Sequence, residues 1–299
     1  MTDFPVRMTR RTLLAALGAS ALVPDAVRGA ASGRFAVVDW ALLETALALG
    51  LVPLAAPELI LYRRLVVEPE VPDTVLDLGL RGALSFERLA LLRPGVVYGS
   101  NYSAWAAPQI EAIAPFRTFE LFVPGEPPLD KIAAMTLALA ADFGIPGRGR
   151  AVVAGAEAEL AASRRRLEGI DTRDILLVDV GDANHVRVYG ADSLFGETIA
   201  RLGLVNAWAG GTRYSATAPV GIEALAPYPN AFLIVVGPVP PDARSEMRSG
   251  ALWRALPSVT AGRFAVIDPC NAFGALPAAL RLARLVTAAL LAAEGRSPA

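Results

Sequence analysis

The sequence predicts an α/β protein made of two lobes joined by a helix, and three features of the chain indicate this. Short β-branched runs alternate with helical segments in both halves, which is typical of mostly parallel strands connected by helices. The middle of the chain, from about 128 to 167, reads as helix with no strand candidate. Two nearly identical strand candidates, GRFAVVD and GRFAVID, lie at 33–39 and 262–268, which fits two similar lobes.

The strand candidates are short apolar runs rich in Val and Ile, bounded by Gly, Asp or Asn, as expected of buried strands. In chain order they are 33–39, 95–100, 174–180, 186–190, 231–237 and 262–268. The helix candidates between them are Ala- and Leu-rich; in chain order they are 41–50, 85–92, 109–114, 193–203, 221–226 and 275–295. Alternation of this kind favours two sheets, each covered by its own helices.

The helical middle divides the chain. It reads LDKIAAMTLALAADFG, then a break at IPGRGR, then AVVAGAEAELAASRRRLEG. We expect an N-terminal lobe over 32–127, a bridging helix over 128–148 and a C-terminal lobe over 149–299.

The first 31 residues are predicted to be a signal peptide rather than part of the fold. Arg10 and Arg11 precede an apolar run from Leu13 to Val23, followed by small residues. The run is shorter than the roughly 20 residues that span a bilayer, and the adjacent arginines indicate the twin-arginine route. We therefore expect an exported, soluble periplasmic protein.

Composition excludes several functional classes. The formal net charge is −1, which gives no indication of a nucleic-acid partner. One His and one Cys leave too few ligands for a His- or Cys-based metal site. No nucleophile elbow, phosphate-binding loop or dinucleotide fingerprint is present, so an exported hydrolase is disfavoured and we expect no enzyme activity.

An aromatic loop directly follows the second strand candidate. The stretch YGSNYSAW places Tyr98, Tyr102 and Trp105 within eight residues, together with Gly, Asn and Ser. These small and polar residues are typical of a loop, and ligands bind at the carboxyl ends of strands in open α/β sheets. The aromatic rings are therefore candidates for the wall of a binding site.

Several motifs, in order, resemble the periplasmic iron-siderophore binding proteins, which are the substrate-binding components of ABC importers. They are LDLGLRGALSFERLALLRPGVVYGS at 76–100, VRVYGADSLFGETIARLGLVNAW at 186–208, VGIEALAPYPNAFLIVV at 220–236 and LWRALPSVTAGRFAVI at 252–267. The resemblance covers residues 34 to 292. The motifs LGLR, NYSAW and SLFGE are most similar to the hydroxamate (ferrichrome-type) group.

This resemblance implies a class III binding-protein fold, with two α/β lobes bridged by one long α-helix and a ligand cleft between them. The implied ligand is a ferric siderophore of the hydroxamate type, delivered by a monomeric protein to an ABC permease and its ATPase subunit. No cofactor is implied, because the siderophore already wraps the iron. Cobalamin, haem or ferric citrate remain alternative ligands for the same fold, and a role as an extracellular scavenger or sensor remains an alternative to transport.

The resemblance also implies a set of binding residues. Arg81 matches the family's oxygen-binding arginine, whose planar fork suits hydroxamate oxygens. The implied aromatic walls are Tyr98, Tyr102, Trp208, Tyr214 and Phe273. Leu65 and Ser215 stand where close relatives can have Trp, and these two departures leave the specificity open.

Two carboxylates are candidates for contact with the permease. Glu223 matches the family's docking carboxylate on the second lobe. On the first lobe Pro108 stands near the corresponding position, and Glu111 is the nearest carboxylate.

Overall fold

The protein is described here by a computed structural model that covers residues 33–171, 174–210 and 219–296. The predicted signal peptide and the predicted site residue Tyr214, together with Ser215, lie outside these described residues.

The first lobe is built on a parallel three-stranded sheet with the order β1-β6-β7. Its strands are β1 (Phe35–Val37), β6 (Val96–Ser100) and β7 (Phe116–Phe119), with two short pairs, β2 (Ala55–Ala56) with β3 (Leu76–Asp77) and β4 (Gly79–Leu80) with β5 (Ala83–Leu84). Its helices are α1 (Trp40–Ala48), α2 (Leu59–Leu65), α3 (Phe86–Leu92) and α4 (Ala107–Glu111), with a 3₁₀ helix over Asn101–Ala106.

The second lobe carries a six-stranded sheet with the order β11-β9-β8-β12-β13, and β10 also pairs with β8. The strands are β8 (Asp174–Val180), β9 (His185–Val188), β10 (Val205–Asn206), β11 (Val220–Gly221), β12 (Phe232–Val236) and β13 (Phe264–Ile267). Strands β8, β12 and β13 are parallel, whereas β9 pairs antiparallel with both β8 and β11. The helices are α7 (Leu194–Arg201), α8 (Pro241–Ser249), α9 (Ala251–Ala255), α10 (Pro257–Thr260) and α11 (Leu276–Ala293), with a 3₁₀ helix over Ile222–Leu225.

The bridge between the lobes differs from the helix predicted over 128–148. Helix α5 (Leu129–Asp142) ends at the turn 143–145, where Gly144 has a φ of +68°, and α6 (Pro146–Arg166) follows. A glycine takes this left-handed conformation without steric cost, and Pro146 then opens the new helix. The predicted bridge is therefore interrupted, and the longer helix α6 lies mostly beyond it.

Helices α5 and α6 both run across the junction, in opposite directions. The start of α5 lies in the second lobe, where Leu129 N donates to Glu197 Oε2 at 2.6 Å. Its end lies in the first lobe, where Asp142 accepts a hydrogen bond from Tyr98 Oη at 3.1 Å. Helix α6 then returns, and its Glu159 pairs with Arg284 of α11.

The largest apolar core is shared by the two lobes. Alternate residues of the central strands enter it, Phe35 and Val37 from β1 and Ile234 and Val236 from β12, as the two-residue pleat requires. The intervening residues face smaller cores on the outer side of each sheet.

Helix α11 supplies much of this shared core. With a mean hydropathy of 1.6 over 18 residues, it has the length and composition of a membrane span, and no other helix in the described ranges does. Half of it is buried inside the protein, where it packs on α1, α6 and α7. We therefore interpret α11 as a core helix.

Candidate ligand-binding cleft

A small pocket lies where the first lobe meets the second. Its lining residues come from the carboxyl ends of β1 and β6 and the loops after them, from the β4–β5 turn, from the segment after β7 and from the segment before α11: Val38, Asp39, Arg81, Ser100, Tyr102, Ser103, Phe122 and Phe273. Its volume is about 50 Å³, well below the roughly 300–1,000 Å³ of small-molecule sites. The pocket formed by the described residues is therefore smaller than a typical small-molecule site.

Arg81 forms one wall of the pocket and is held on two sides. It lies in the turn between β4 and β5, where its backbone N donates to Glu58 Oε1 at 3.1 Å and its Nε donates to Glu58 Oε2 at 2.7 Å. The guanidinium carbon lies 3.7 Å from the centre of the Trp40 ring, which is a cation–π contact. Glu58 and Trp40 therefore fix both the edge and the plane of the guanidinium.

Neither Glu58 nor Trp40 was predicted from the sequence. Glu58 has a left-handed backbone, with φ 53° and ψ 45°, which is uncommon for a residue other than glycine. Such outliers cluster at functional sites, but the backbone angle cannot be read from the letters APEL. Trp40 carried a weak signal, as an aromatic residue directly after a strand and a polar N-cap.

Tyr102 and two phenylalanines form the aromatic part of the pocket. The Tyr102 ring stacks on Phe122 with centroids 4.9 Å apart and contacts the edge of Phe273 at 5.5 Å. The ring centroids of Phe122 and Phe273 lie 5.9 Å apart. Phe273 comes from the second lobe, so this cluster joins the two sides of the cleft.

The loop that carries Tyr102 is fixed by short-range hydrogen bonds. Ser100 and Ser103 form a reciprocal capping box at the start of the 3₁₀ helix. Asn101 accepts from Leu121 N at 3.0 Å and donates to Phe122 O at 2.7 Å, so it ties the Phe122 segment to this loop. The Asn and Ser residues of YGSNYSAW are therefore the groups that hold Tyr102 and Phe122 together.

Asp39 links the start of α1 to the end of β6. It caps α1 by accepting from Leu42 N at 2.9 Å, and its other oxygen accepts from Ser100 N at 2.5 Å. Burial raises the pKa of this carboxyl, while the hydrogen bonds and nearby Arg81 oppose the rise. Its signal in the sequence was an Asp between a strand and a helix, which is the place of an N-cap.

The structure corrects the interpretation of Tyr98 as a cleft wall. Its side chain is 1% exposed and packs against Phe35, Phe119 and Phe143 in the shared core. Its hydroxyl donates to Asp142, and burial raises its pKa. The physical reason is register, because Tyr98 points to the same face of the first sheet as Val96, the face that packs on the core.

The remaining aromatic candidates are distributed differently. Trp208 is half-buried and packs on Tyr228 at 5.6 Å, and it does not line the pocket of this structure. Its buried indole N–H has no hydrogen-bond partner in the described part of the chain. Trp105 is exposed at the surface and contacts Phe86 edge-on. Leu65 packs against the shared core.

The two predicted docking carboxylates are exposed. Glu223 lies in the first turn of the 3₁₀ helix of the second lobe, and Glu111 is the last residue of α4 in the first lobe. Each lobe therefore presents one of them at its surface. Within the described ranges, no group of three or more His, Cys, Asp or Glu side chains could hold a metal ion.

Comparisons with known proteins agree with this architecture. The family model described as periplasmic binding protein matches residues 36–270. The iron(3+)-hydroxamate-binding protein FhuD of Escherichia coli is 30% identical over 296 residues, which covers 97% of this chain and 99% of that protein.

Solved structures show the same likeness. The FhuD of Vibrio cholerae, crystallised with Fe³⁺-Desferal, superposes with a TM-score of 0.82 at 25% identity, over 87% of this chain and 98% of that one. The petrobactin-binding protein YclQ of Bacillus subtilis superposes with a TM-score of 0.71 at 16% identity, over 86% and 92%, which shows the fold alone. The chain therefore belongs to the periplasmic binding protein family and has its class III fold of two α/β lobes.

Proposed function

We propose that this protein binds a ferric siderophore of the hydroxamate type in the cleft between its lobes and delivers it to an ABC permease for iron uptake. The observation that carries the proposal is the geometry of Arg81, which Glu58 and Trp40 fix at the edge of an aromatic pocket. A guanidinium held in this way can donate to ligand oxygens, while the Tyr102, Phe122 and Phe273 rings cover the ligand's carbon surface.

The charge balance of the pocket favours hydroxamates over catecholates. Three hydroxamates neutralise Fe³⁺, whereas three catecholates give a complex with three negative charges. Around the pocket the cation of Arg81 is accompanied by the carboxylates of Glu58 and Asp39, so these three groups, among the described residues, carry no excess positive charge. A neutral complex fits this balance, and a trianion would be repelled.

Two relatives of 25% identity or more support the same ligand class. The E. coli relative is named for binding iron(3+)-hydroxamate, and the V. cholerae relative was solved with the hydroxamate siderophore Desferal bound to Fe³⁺. The family is one of binding proteins, which supports a role in binding rather than catalysis.

A ligand panel tests the proposal. Purified mature protein is titrated with ferric desferrioxamine B, a ferric tricatecholate, ferric citrate, haem and cobalamin, and quenching of tryptophan fluorescence is measured. We expect the ferric hydroxamate to bind with the highest affinity, with Trp40 beneath Arg81 as a local reporter. Preferential binding of haem, ferric citrate or cobalamin would identify the alternative ligand of this fold, and preference for the tricatecholate would contradict the charge argument.

Delivery rests on the two exposed carboxylates. We propose that Glu223 and Glu111 contact arginines of the permease. Glu223→Ala is expected to leave siderophore affinity unchanged and to lower uptake into cells. Glu120→Ala, which also removes an exposed carboxylate, is the control and should leave uptake unchanged. Loss of affinity in the Glu223 variant would contradict a docking role.

Export is proposed to use residues 1–31 as a twin-arginine signal, which places the mature protein in the periplasm. Replacing both Arg10 and Arg11 by Lys should leave the precursor in the cytoplasm. Normal export of that variant would rule out the twin-arginine route.

A further inference from the structure

A buried carboxylate connects the two lobes at a point outside the pocket. Glu44 lies on α1 in the first lobe and is 0% exposed. Its oxygens accept three hydrogen bonds from the second lobe, from Asn271 Nδ2 at 2.7 Å, Ala275 N at 2.8 Å and Ala278 N at 3.3 Å. No Lys or Arg forms an ion pair with it in the part of the chain that the structure describes, so these three donors are its compensation for burial.

The backbone closes tightly around this carboxylate. A Cβ atom at Gly274 would lie 2.6 Å from Glu44 Oε1 and 2.5 Å from the Cβ of Ala278. Real Cβ contacts are longer than this, so Gly274 is needed for the segment to approach Glu44. The contact is therefore specific to the path of the chain between β13 and α11.

That path carries the second-lobe wall of the pocket. Phe273 lies between Asn271 and Ala275, which both donate to Glu44. Asn271 also accepts from the backbone N of Phe273 at 3.1 Å, so a single amide side chain links Glu44 to the Phe273 backbone. The Phe273 ring then contacts Tyr102 and Phe122 across the cleft.

We propose that Glu44 is a positioning residue for ligand binding: from the first lobe it holds the segment 271–275 so that the Phe273 ring stands opposite Tyr102. The proposal rests on the proposed function, because the ligand is what Phe273 would contact. Glu44 itself does not line the pocket. Its effect on affinity would therefore pass through Phe273.

The test is a double-mutant cycle with ferric desferrioxamine B as the probe. Glu44→Gln keeps the shape of the side chain but leaves one acceptor oxygen for three donors. We expect its dissociation constant to rise about two- to tenfold, the change that corresponds to the net contribution of one hydrogen bond. In a Phe273→Ala background the same Glu44→Gln substitution should change affinity no further, because the positioned ring is gone.

A matched control separates positioning from general stability. Glu197 is also a buried carboxylate between the lobes. It accepts a hydrogen bond from Leu129 N at the start of α5, and it lies outside the pocket. Glu197→Gln should lower the melting temperature and leave affinity unchanged. If Glu44→Gln does not fold, Asn271→Ala provides the second variant, because it removes the link to Phe273 and keeps the bonds from Ala275 and Ala278.

The outcomes are distinct. An equal loss of affinity with and without the Phe273 ring, or wild-type affinity in both Glu44→Gln and Asn271→Ala, would overturn the positioning role. If the wild-type protein does not bind ferric hydroxamates, the proposed function fails. Amide hydrogen exchange without ligand then tests whether Glu44 holds the segment 271–275. Faster exchange at Phe273, Ala275 and Ala278 in Glu44→Gln, but not at Leu129, supports it, and unchanged exchange rejects it.

Discussion

At the scale of single residues, the arrangement around Arg81 shows how one side chain is prepared for a ligand. An arginine side chain has several rotatable bonds, and ordering it on binding costs free energy. In this structure, which contains no ligand, Glu58 accepts a hydrogen bond from Arg81 Nε and the Trp40 ring lies against the guanidinium carbon. The ordering cost is therefore met in the free protein, and the guanidinium is already oriented at the pocket.

This orientation makes the effect of Arg81 substitutions predictable. Arg81→Ala should weaken binding of ferric desferrioxamine B by about 1.5–3 kcal/mol, the range for a hydrogen bond to a charged group. That corresponds to a roughly 10- to 150-fold rise in the dissociation constant. Arg81→Lys should restore only part of the affinity, since an ammonium group keeps the charge but loses the planar fork. Fluorescence titration measures all three proteins.

Arg63→Ala is a suitable control for that series. Arg63 lies on α2 in the same lobe, is exposed and pairs with Asp73 at the surface, so its loss should leave affinity unchanged. The melting temperature without ligand, measured for each variant, separates a loss of binding from a loss of folding. Wild-type affinity in Arg81→Ala would mean that oxygen recognition lies elsewhere in the cleft.

At the scale of elements, α1 organises the cleft through two buried carboxylates. Asp39 caps its first turn and binds the end of β6, which fixes the loop of Tyr102 within the first lobe. Glu44 lies five positions further along the same helix and binds the start of α11 in the second lobe. One short helix thus supports a wall on each side of the cleft.

Glu44 should make stability depend on pH. Burial raises its pKa from 4.5 to about 7, against the three donated hydrogen bonds, with Asp39 adding to the rise; Tyr62 and Cys270 are the other titratable groups coupled to it. The native state then holds this proton more tightly than the unfolded chain, so the free energy of unfolding should fall as pH rises from 4.5 to about 7. The size of the fall is on the order of 3 kcal/mol.

Urea unfolding at a series of pH values measures this dependence. Glu44→Gln should flatten the fall between pH 5 and about pH 7, because the amide does not titrate. A slope in Glu44→Gln equal to that of the wild type would assign the pH dependence to other groups, such as Asp39.

Sequence patterns predict the buried elements well and the site less well. Strands β6, β8 and β12 are confirmed within one residue of their predicted ends, because dense Val, Ile and Leu runs have one stable place, inside a sheet. Strand β7 was missed, since FRTF has a polar, exposed centre. The helix predicted over 128–148 is divided in the structure at Gly144, because helix propensity does not show where two successive helices reverse direction.

Within the site, the sequence indicated residue types but not their orientation. The aromatic loop pointed to both Tyr102 and Tyr98, and only the register of β6 puts Tyr98 in the core. Glu58 and Glu44 became visible only in three dimensions, because their partners lie 23 and more than 220 residues away in the chain. Long-range hydrogen bonds of this kind leave no local pattern.

At the scale of the whole molecule, the shared core makes the two lobes one folding unit. Helices α5, α6 and α11 contribute to a single apolar cluster together with α1 and β1 of the first lobe and β8 and β12 of the second. Neither lobe could keep its apolar face from water without the other. We therefore expect one cooperative thermal transition, with near- and far-ultraviolet circular dichroism changing together in the absence of ligand.

Calorimetry provides the decisive measurement for that expectation. Equal calorimetric and van't Hoff enthalpies would confirm a single unit. Two separated transitions would show that the lobes unfold independently and that the junction is weaker than its burial indicates.

The position of α11 has a consequence for how the protein is made. The core beneath α1 is completed by Leu282, Ala283 and Val286, residues that a ribosome adds some 240 positions after Trp40. During translation the early half of the chain therefore exposes an unfinished apolar surface until α11 has emerged from the ribosome. A chaperone that shields such surfaces would be needed most in this interval, and a folded precursor can exist only after α11 has been synthesised.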